Sequence, residues 1–130
     1  AVLGAYGALP GNPLVDTAIM SRTFDYVWDN WQWEDTWGWD FPLTAMTAVR
    51  LGQPEMAIEA LFMQPETNTY LKNGHNYQDG RLRLYLPGNG GLLTVAAMMC
   101  AGFDGCTTPD PGIPKDGSWT VRWEGLHPMP

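Results

Sequence analysis

Between Trp33 and Pro42 the chain sets three tryptophans, one phenylalanine and three carboxylates into ten positions, with Trp28 and Trp31 just before them. The run is too polar for a buried strand and too aromatic for a solvated loop. Indole faces interleaved with acids suit a saccharide cleft, where rings stack on pyranose C–H faces and carboxylates hold hydroxyls or move protons. The same residues also describe a Trp-rich core with acids at a helix start, and both readings stay open at this point. Trp37 and Trp39 are the stacking candidates. Trp28 and Trp31, at helical spacing, read as core.

A second polar and aromatic cluster, His75-Asn76-Tyr77-Gln78, lies between Gly74 and Gly80. His75, Asn76 and Gln78 could hydrogen-bond sugar hydroxyls while Tyr77 stacks. Equally, such a loop can satisfy its own backbone. No metal site is expected, because the other histidine, His127, lies in a Pro-rich tail without carboxylate spacing. Gly88-Asn89-Gly90-Gly91 lacks the Lys-Ser/Thr ending of a phosphate loop, and Ser21 and Ser118 lack a nucleophile elbow. No cofactor is implied.

The elements that must position these residues are bounded by the totals. A chain of 130 residues is one domain or a piece of one, and 15 Gly and 11 Pro limit long regular elements. A net charge of -7 with only seven basic residues argues against nucleic acid as a partner. No apolar run approaches the roughly 20 residues of a membrane span. The sequence opens on Ala1 without a signal-peptide pattern, which suggests a processed or excised segment. Cys100 and Cys106 fit no zinc or redox spacing, so two buried thiols are expected rather than a disulfide.

In chain order, residues 1–11 read as the end of a helix stopped by Pro10-Gly11. Asp16 caps a helix to about residue 30, with Ile19, Met20, Phe24, Val27 and Trp28 on its apolar side. Asp40 lies at the mouth of a helix running to Leu51 and closed by Gly52, and Pro54 opens another to about residue 63, making a helical hairpin. From 64 to 91 helical period is lost. Residues 81–86 alternate as a short strand, 87–91 read as a sharp turn, and 92–101 as a helix apolar all round, hence buried on every side. The tail from 107 is Pro-rich, with a C-terminal strand at 119–123. The expected class is mainly α, with helical hairpins over 1–106 and an extended tail over 107–130.

Three motifs in order carry a resemblance: Gly38-Trp39-Asp40-Phe41-Pro42 leading to Ala48-Val49-Arg50-Leu51-Gly52, then Asn73-Gly74-His75-Asn76-Tyr77-Gln78, then Leu86-Pro87-Gly88-Asn89-Gly90-Gly91. Together they resemble a C-terminal part of the six-hairpin glycosidase superfamily, whose catalytic domain is an (α/α)6 toroid, and in particular secreted glycoside hydrolases of polysaccharide-degrading bacteria. More distantly the chain is similar to the inverting α-L-fucosidases of that superfamily, whose inner helix opens with Gly-Trp-Ser and ends in Ala-Arg-Leu-Gly. The resemblance implies part of a toroid, completed by upstream sequence of the same polypeptide, acting on carbohydrate outside the cytoplasm, in the periplasm or beyond the cell. The apolar helix would then be an inner-ring helix covered by helices this chain lacks, and the 119–123 strand would join an upstream β-domain.

Inverting hydrolysis needs a protonated acid and an ionised base about 6.5–9.5 Å apart, with water beside the base. The fucosidase-like relatives hold their base in an Ile-Asp-Gly-Asn motif. Here that position is Pro87, which cannot titrate, and only Asn89 of the polar pair survives, a substrate-binding candidate whose carboxamide can orient water but not deprotonate it. Asp40, in the relatives' Ser position, is the candidate base, with helix capping as a compatible role. The helix mouth is expected to lower its pKa. Glu34 and Asp35 are the alternatives, or are simply solvated. The relatives' general acid is a Glu upstream of this region, so the chain alone is expected to be inactive. The rival readings are a carbohydrate-binding toroid without the acid/base pair and a helical scaffold whose tryptophans are core.

Overall fold

The computed structural model describes residues 2–130; Ala1, the first residue of the helix end expected over 1–11, lies outside them. The chain is mainly helical: α1 (Gly4–Gly7), α2 (Thr17–Asn30), α3 (Asp40–Arg50), α4 (Pro54–Phe62) and α5 (Leu86–Ala101). One-turn 3-10 segments lie at Trp33–Asp35 and Glu66–Asn68. The sheet is a minimal antiparallel pair, β1 (Thr69–Tyr70) and β2 (Asn76–Tyr77), in register Thr69 to Tyr77 and Tyr70 to Asn76.

Helix α2 starts where Asp16 accepts a hydrogen bond from the Ile19 N–H at 2.8 Å, and it buries Met20, Phe24 and Val27. Helix α3 ends in a Schellman arrangement. Gln53 N–H donates to the Ala48 carbonyl at 2.9 Å, Gly52 N–H donates to that of Val49 at 3.1 Å, and Gly52 takes φ +73°. Pro54 then supplies the first turn of α4. The α3–α4 hairpin is therefore written in local chemistry.

Helix α3 is the hub, packed against α1, α4 and α5. Every residue from Asp40 to Val49 is buried. Its two threonines can be buried because their hydroxyls find carbonyls: Thr44 donates to Asp40 O at 2.7 Å, and Thr47 to Leu43 O at 2.9 Å and Leu3 O at 3.2 Å. Gly7 lets α1 approach, since a Cβ there would lie 2.9 Å from Thr47 N and 3.1 Å from Leu43 O.

Several expectations are corrected. The all-round buried helix is α3, not 92–101: α5 buries Gly88, Val95, Met98 and Met99 but leaves Leu86 65% and Leu93 74% exposed. Residues 81–86 form no strand. Asp79 Oδ1 instead accepts from the Arg81 and Leu82 N–H groups at 2.7 and 2.9 Å, tightening the chain into a turn before it can extend. Helix α5 begins at Leu86, so the expected turn at 87–91 is its first turns, with Pro87 near its start. Residues 119–123 are irregular. The tail is held by a parallel bridge between Phe103 and Met129, and by Trp123 Nε1 donating to Asp110 Oδ1 at 2.7 Å. Cys100 and Cys106 are both free thiols, half-buried rather than buried.

Candidate functional site

The Trp-rich run divides in two. Its first half turns inward: Trp28, Trp31 and Trp33 pack against the core with Phe24 and Phe41, ring centroids 5.6 to 6.1 Å apart. Trp33 Nε1 donates to the Trp28 carbonyl at 3.3 Å, which settles the one polar atom of that ring. The second half turns outward. Trp37 is 50% exposed and Trp39 40%.

Asp40 is buried, at 8% exposure, at the start of α3. It closes a reciprocal turn with Trp37: its N–H donates to Trp37 O at 2.9 Å, and its Oδ2 accepts from Trp37 N–H at 2.9 Å. Burial pushes its pKa above the ordinary 3.8, outweighing the Trp37 N–H, which pulls the other way. The expected depression is thus corrected: the helix mouth is wrapped by protein, and loss of solvent outweighs the hydrogen bond.

This turn is held from across the chain. Gly38 N–H donates to Gln78 Oε1 at 2.9 Å, and Gln78 Nε2 reaches Thr36 O at 3.5 Å. A Cβ on Gly38 would run into Asn76 Oδ1 and lie 2.7 Å from Thr67 O. Asn76 is fully buried, its Nδ2 donating to Thr67 O at 3.1 Å and Thr69 O at 3.2 Å. Its N–H donates to Asn89 Oδ1 at 2.9 Å, and Asn89 Nδ2 donates to Gly74 O at 2.7 Å. Asn76, Gln78 and Asn89 are therefore anchors that pin the 67–78 loop to the Trp37–Asp40 turn and to α5. Asn76 Oδ1 has no N–H or O–H donor. It faces the α-carbons of Gly38 and Gly88, whose C–H groups are its remaining weak donors.

The other candidates are less committed. His75 and Tyr77 are half-buried, and the Arg83 guanidinium lies 5.9 Å from the Tyr77 ring centre. Glu34 and Asp35 are exposed in the one-turn 3-10 segment. Among the described residues no three His, Cys, Asp or Glu side chains converge to hold a metal ion.

Tyr85, which the alternation at 81–86 disguised as a strand residue, lies in this neighbourhood. Its ring centre is 5.5 Å from that of Trp37, inclined at 42°. Burial and the Asp40 charge both raise its phenol pKa above the ordinary 10. The signal that could have found it is its place directly before the Leu86-Pro87 helix start, opposite the Trp37 turn once α5 begins early.

A groove of about 530 Å³ opens at the far end of α3, lined by Val49, Arg50, Phe103, Cys106 and Lys115. Both of its cations are occupied. Arg50 donates to Gly7 O at 3.3 Å and Pro130 O at 2.7 Å and lies over Phe103, and Lys115 donates to the Pro109 and Asp110 carbonyls at 2.8 and 2.9 Å. Comparison with protein-family models, with curated proteins and with solved structures finds no match for this chain.

Proposed function

We propose that this chain is an arc of an (α/α)6-toroid glycoside hydrolase that cleaves glycosidic bonds by single displacement, outside the cytoplasm. The observation that carries the proposal is the Trp37–Asp40 turn, where two half-exposed indoles flank a buried carboxylate. Trp37 and Trp39 would stack on sugar rings. Asp40 would take the proton from the attacking water, and the burial that raises its pKa makes its ionised form the stronger proton acceptor. The bare Leu86 and Leu93 of α5 fit a helix that further hairpins of the ring would cover. The general acid would come from those hairpins.

A specific observation favours a second reading, saccharide binding without catalysis. Pro87 stands where the distant relatives carry a carboxylate, and Glu34 and Asp35 lie out in solvent. Two measurements separate the readings. Saccharide binding to this chain, followed by tryptophan emission, should weaken about tenfold in Trp37→Ala. In a polypeptide carrying the remaining hairpins, Asp40→Asn should slow aryl-glycoside hydrolysis by about a hundredfold or more. An unchanged rate removes Asp40 as the base; binding with no turnover in the wild type selects the second reading.

A further inference from the structure

We infer that the C-terminal tail carries a second carbohydrate subsite, a hollow beside Trp119, Asp110 and Lys115 that takes one uncharged pyranose ring. The choice of carbohydrate rests on the saccharide reading above, but the location shares none of its residues. The hollow measures about 260 Å³, and Ile113 and Val121 line it together with those three side chains. That is below the roughly 300–1,000 Å³ of sites for drug-sized ligands and suits about one sugar ring. Ile113 belongs to the core and Val121 packs against it, so the apolar floor is fixed. The Trp119 indole is 43% exposed. An indole beside a carboxylate and an ammonium offers a pyranose a face for its C–H groups, an acceptor and a donor.

The polar groups are held in place without being saturated. Asp110 has φ +45°, a left-handed backbone that a residue before proline ordinarily avoids. Its carbonyl accepts from Ile113 N–H at 3.0 Å and Lys115 Nζ at 2.9 Å, and its Oδ1 accepts from Trp123 Nε1 at 2.7 Å. Backbone held in such a conformation by its surroundings clusters at ligand clamps. Lys115 donates two of its three N–H groups to the Pro109 and Asp110 carbonyls, which leaves the third. Among the described residues the one ion pair is Arg81 with Asp79, so the Lys115 ammonium and the Asp110 carboxylate are not paired with each other. Of the neighbouring charges, Asp116 accepts from the Ser118 N–H and hydroxyl, and Arg122 lines a separate hollow with Trp123 and Glu124. One carboxylate and one ammonium therefore line this hollow, with no excess charge to favour an ionic sugar.

The test follows the indole N–H signals of the isotope-labelled chain by NMR, during titration with neutral gluco-, manno- and galacto-oligosaccharides and with oligogalacturonate. Neutral sugars should shift the Trp119 and Trp123 signals, at concentrations no higher than oligogalacturonate requires. Trp119→Ala should weaken this binding about tenfold, read at Trp123. Asp110→Asn keeps an oxygen for the Trp123 N–H and tolerates the left-handed backbone, and it should weaken binding several-fold, read at Trp119. Trp37→Ala should leave both shifts unchanged. Shifts at Trp119 without any at Trp37 support this subsite and overturn the role of Trp37 in the reading above. A shift at Trp37 with Trp119 and Trp123 unmoved overturns the subsite and leaves that reading standing. Wild-type binding by both Trp119→Ala and Asp110→Asn likewise overturns the subsite, and tighter binding of oligogalacturonate overturns the uncharged ligand. No shift at any of the three overturns the saccharide reading and this inference with it.

Discussion

Asp40 is pulled two ways, and which pull dominates sets how it behaves. Burial favours the protonated form, the Trp37 N–H favours the anion, and burial prevails. A folded-state pKa above the ordinary 3.8 means the native state holds this proton more tightly than the unfolded chain. Its charged form therefore weakens the fold progressively as pH rises from 3.8 through the raised value, and fully above it. Asp40→Asn, whose Oδ1 can still accept from Trp37, is expected to melt above wild type at pH 7, with the gap closing below pH 3.8. Thermal unfolding at both pH values checks this; a lower melting point at pH 7 would mean that the Trp37 bond outweighs burial. The sequence placed Asp40 at a helix mouth but could not say how much protein covers that mouth. The same limit hid the roles of Asn76, Gln78 and Asn89. A carboxamide facing a ligand and one holding a carbonyl have the same donors and acceptors. Only the partner differs, and here the partners are Thr67, Thr69, Gly38 and Gly74.

At the scale of elements, α2, α3 and α4 were legible because their ends carry chemistry: Asp16, Gly52 and Pro54 each act through their own backbone neighbourhood. The start of α5 was not. Three glycines in five residues oppose a helix by about 1 kcal/mol each relative to alanine, so Pro87 to Gly91 reads as a turn. Tertiary approach reverses that reading. Gly88 admits Asn76, and a Cβ on Gly91 would meet Pro42 Cγ at 2.7 Å. Gly90 meets nothing within 4 Å. Gly90→Ala is therefore expected to stabilise by about 0.5–1 kcal/mol, because only helix propensity changes. Gly88→Ala should cost about 1–3 kcal/mol despite the same propensity gain, because Asn76 cannot retreat. Urea unfolding of the pair checks both signs. The strand expected at 81–86 failed for a related reason: alternation describes a strand only where a neighbour pairs with it, and Asp79 offers the backbone a turn first.

At the scale of the molecule, the helix at the centre is the one that looks more polar. Thr44 and Thr47 lower the apparent hydrophobicity of α3, yet their hydroxyls are absorbed by carbonyls, so it can be wrapped on all sides. Helix α5 carries no charge and still shows Leu86 and Leu93 to solvent. Composition thus identified the helices and misjudged which one the others surround. The buried Asn76 amide has a further consequence for how the protein is made. Its partners come from Thr67, Thr69 and Asn89, against the α-carbons of Gly38 and Gly88, so no short piece of the chain can assemble its surroundings. Until all of those segments arrive, the amide is better served by water, which places the knot after the folding barrier. Asn76→Ala, at a cost of about 1–3 kcal/mol, should then leave the refolding rate nearly untouched and accelerate unfolding roughly 5- to 150-fold in stopped-flow traces. Asn76 would act as a latch on the native state, setting how long a molecule stays folded rather than how fast it gets there.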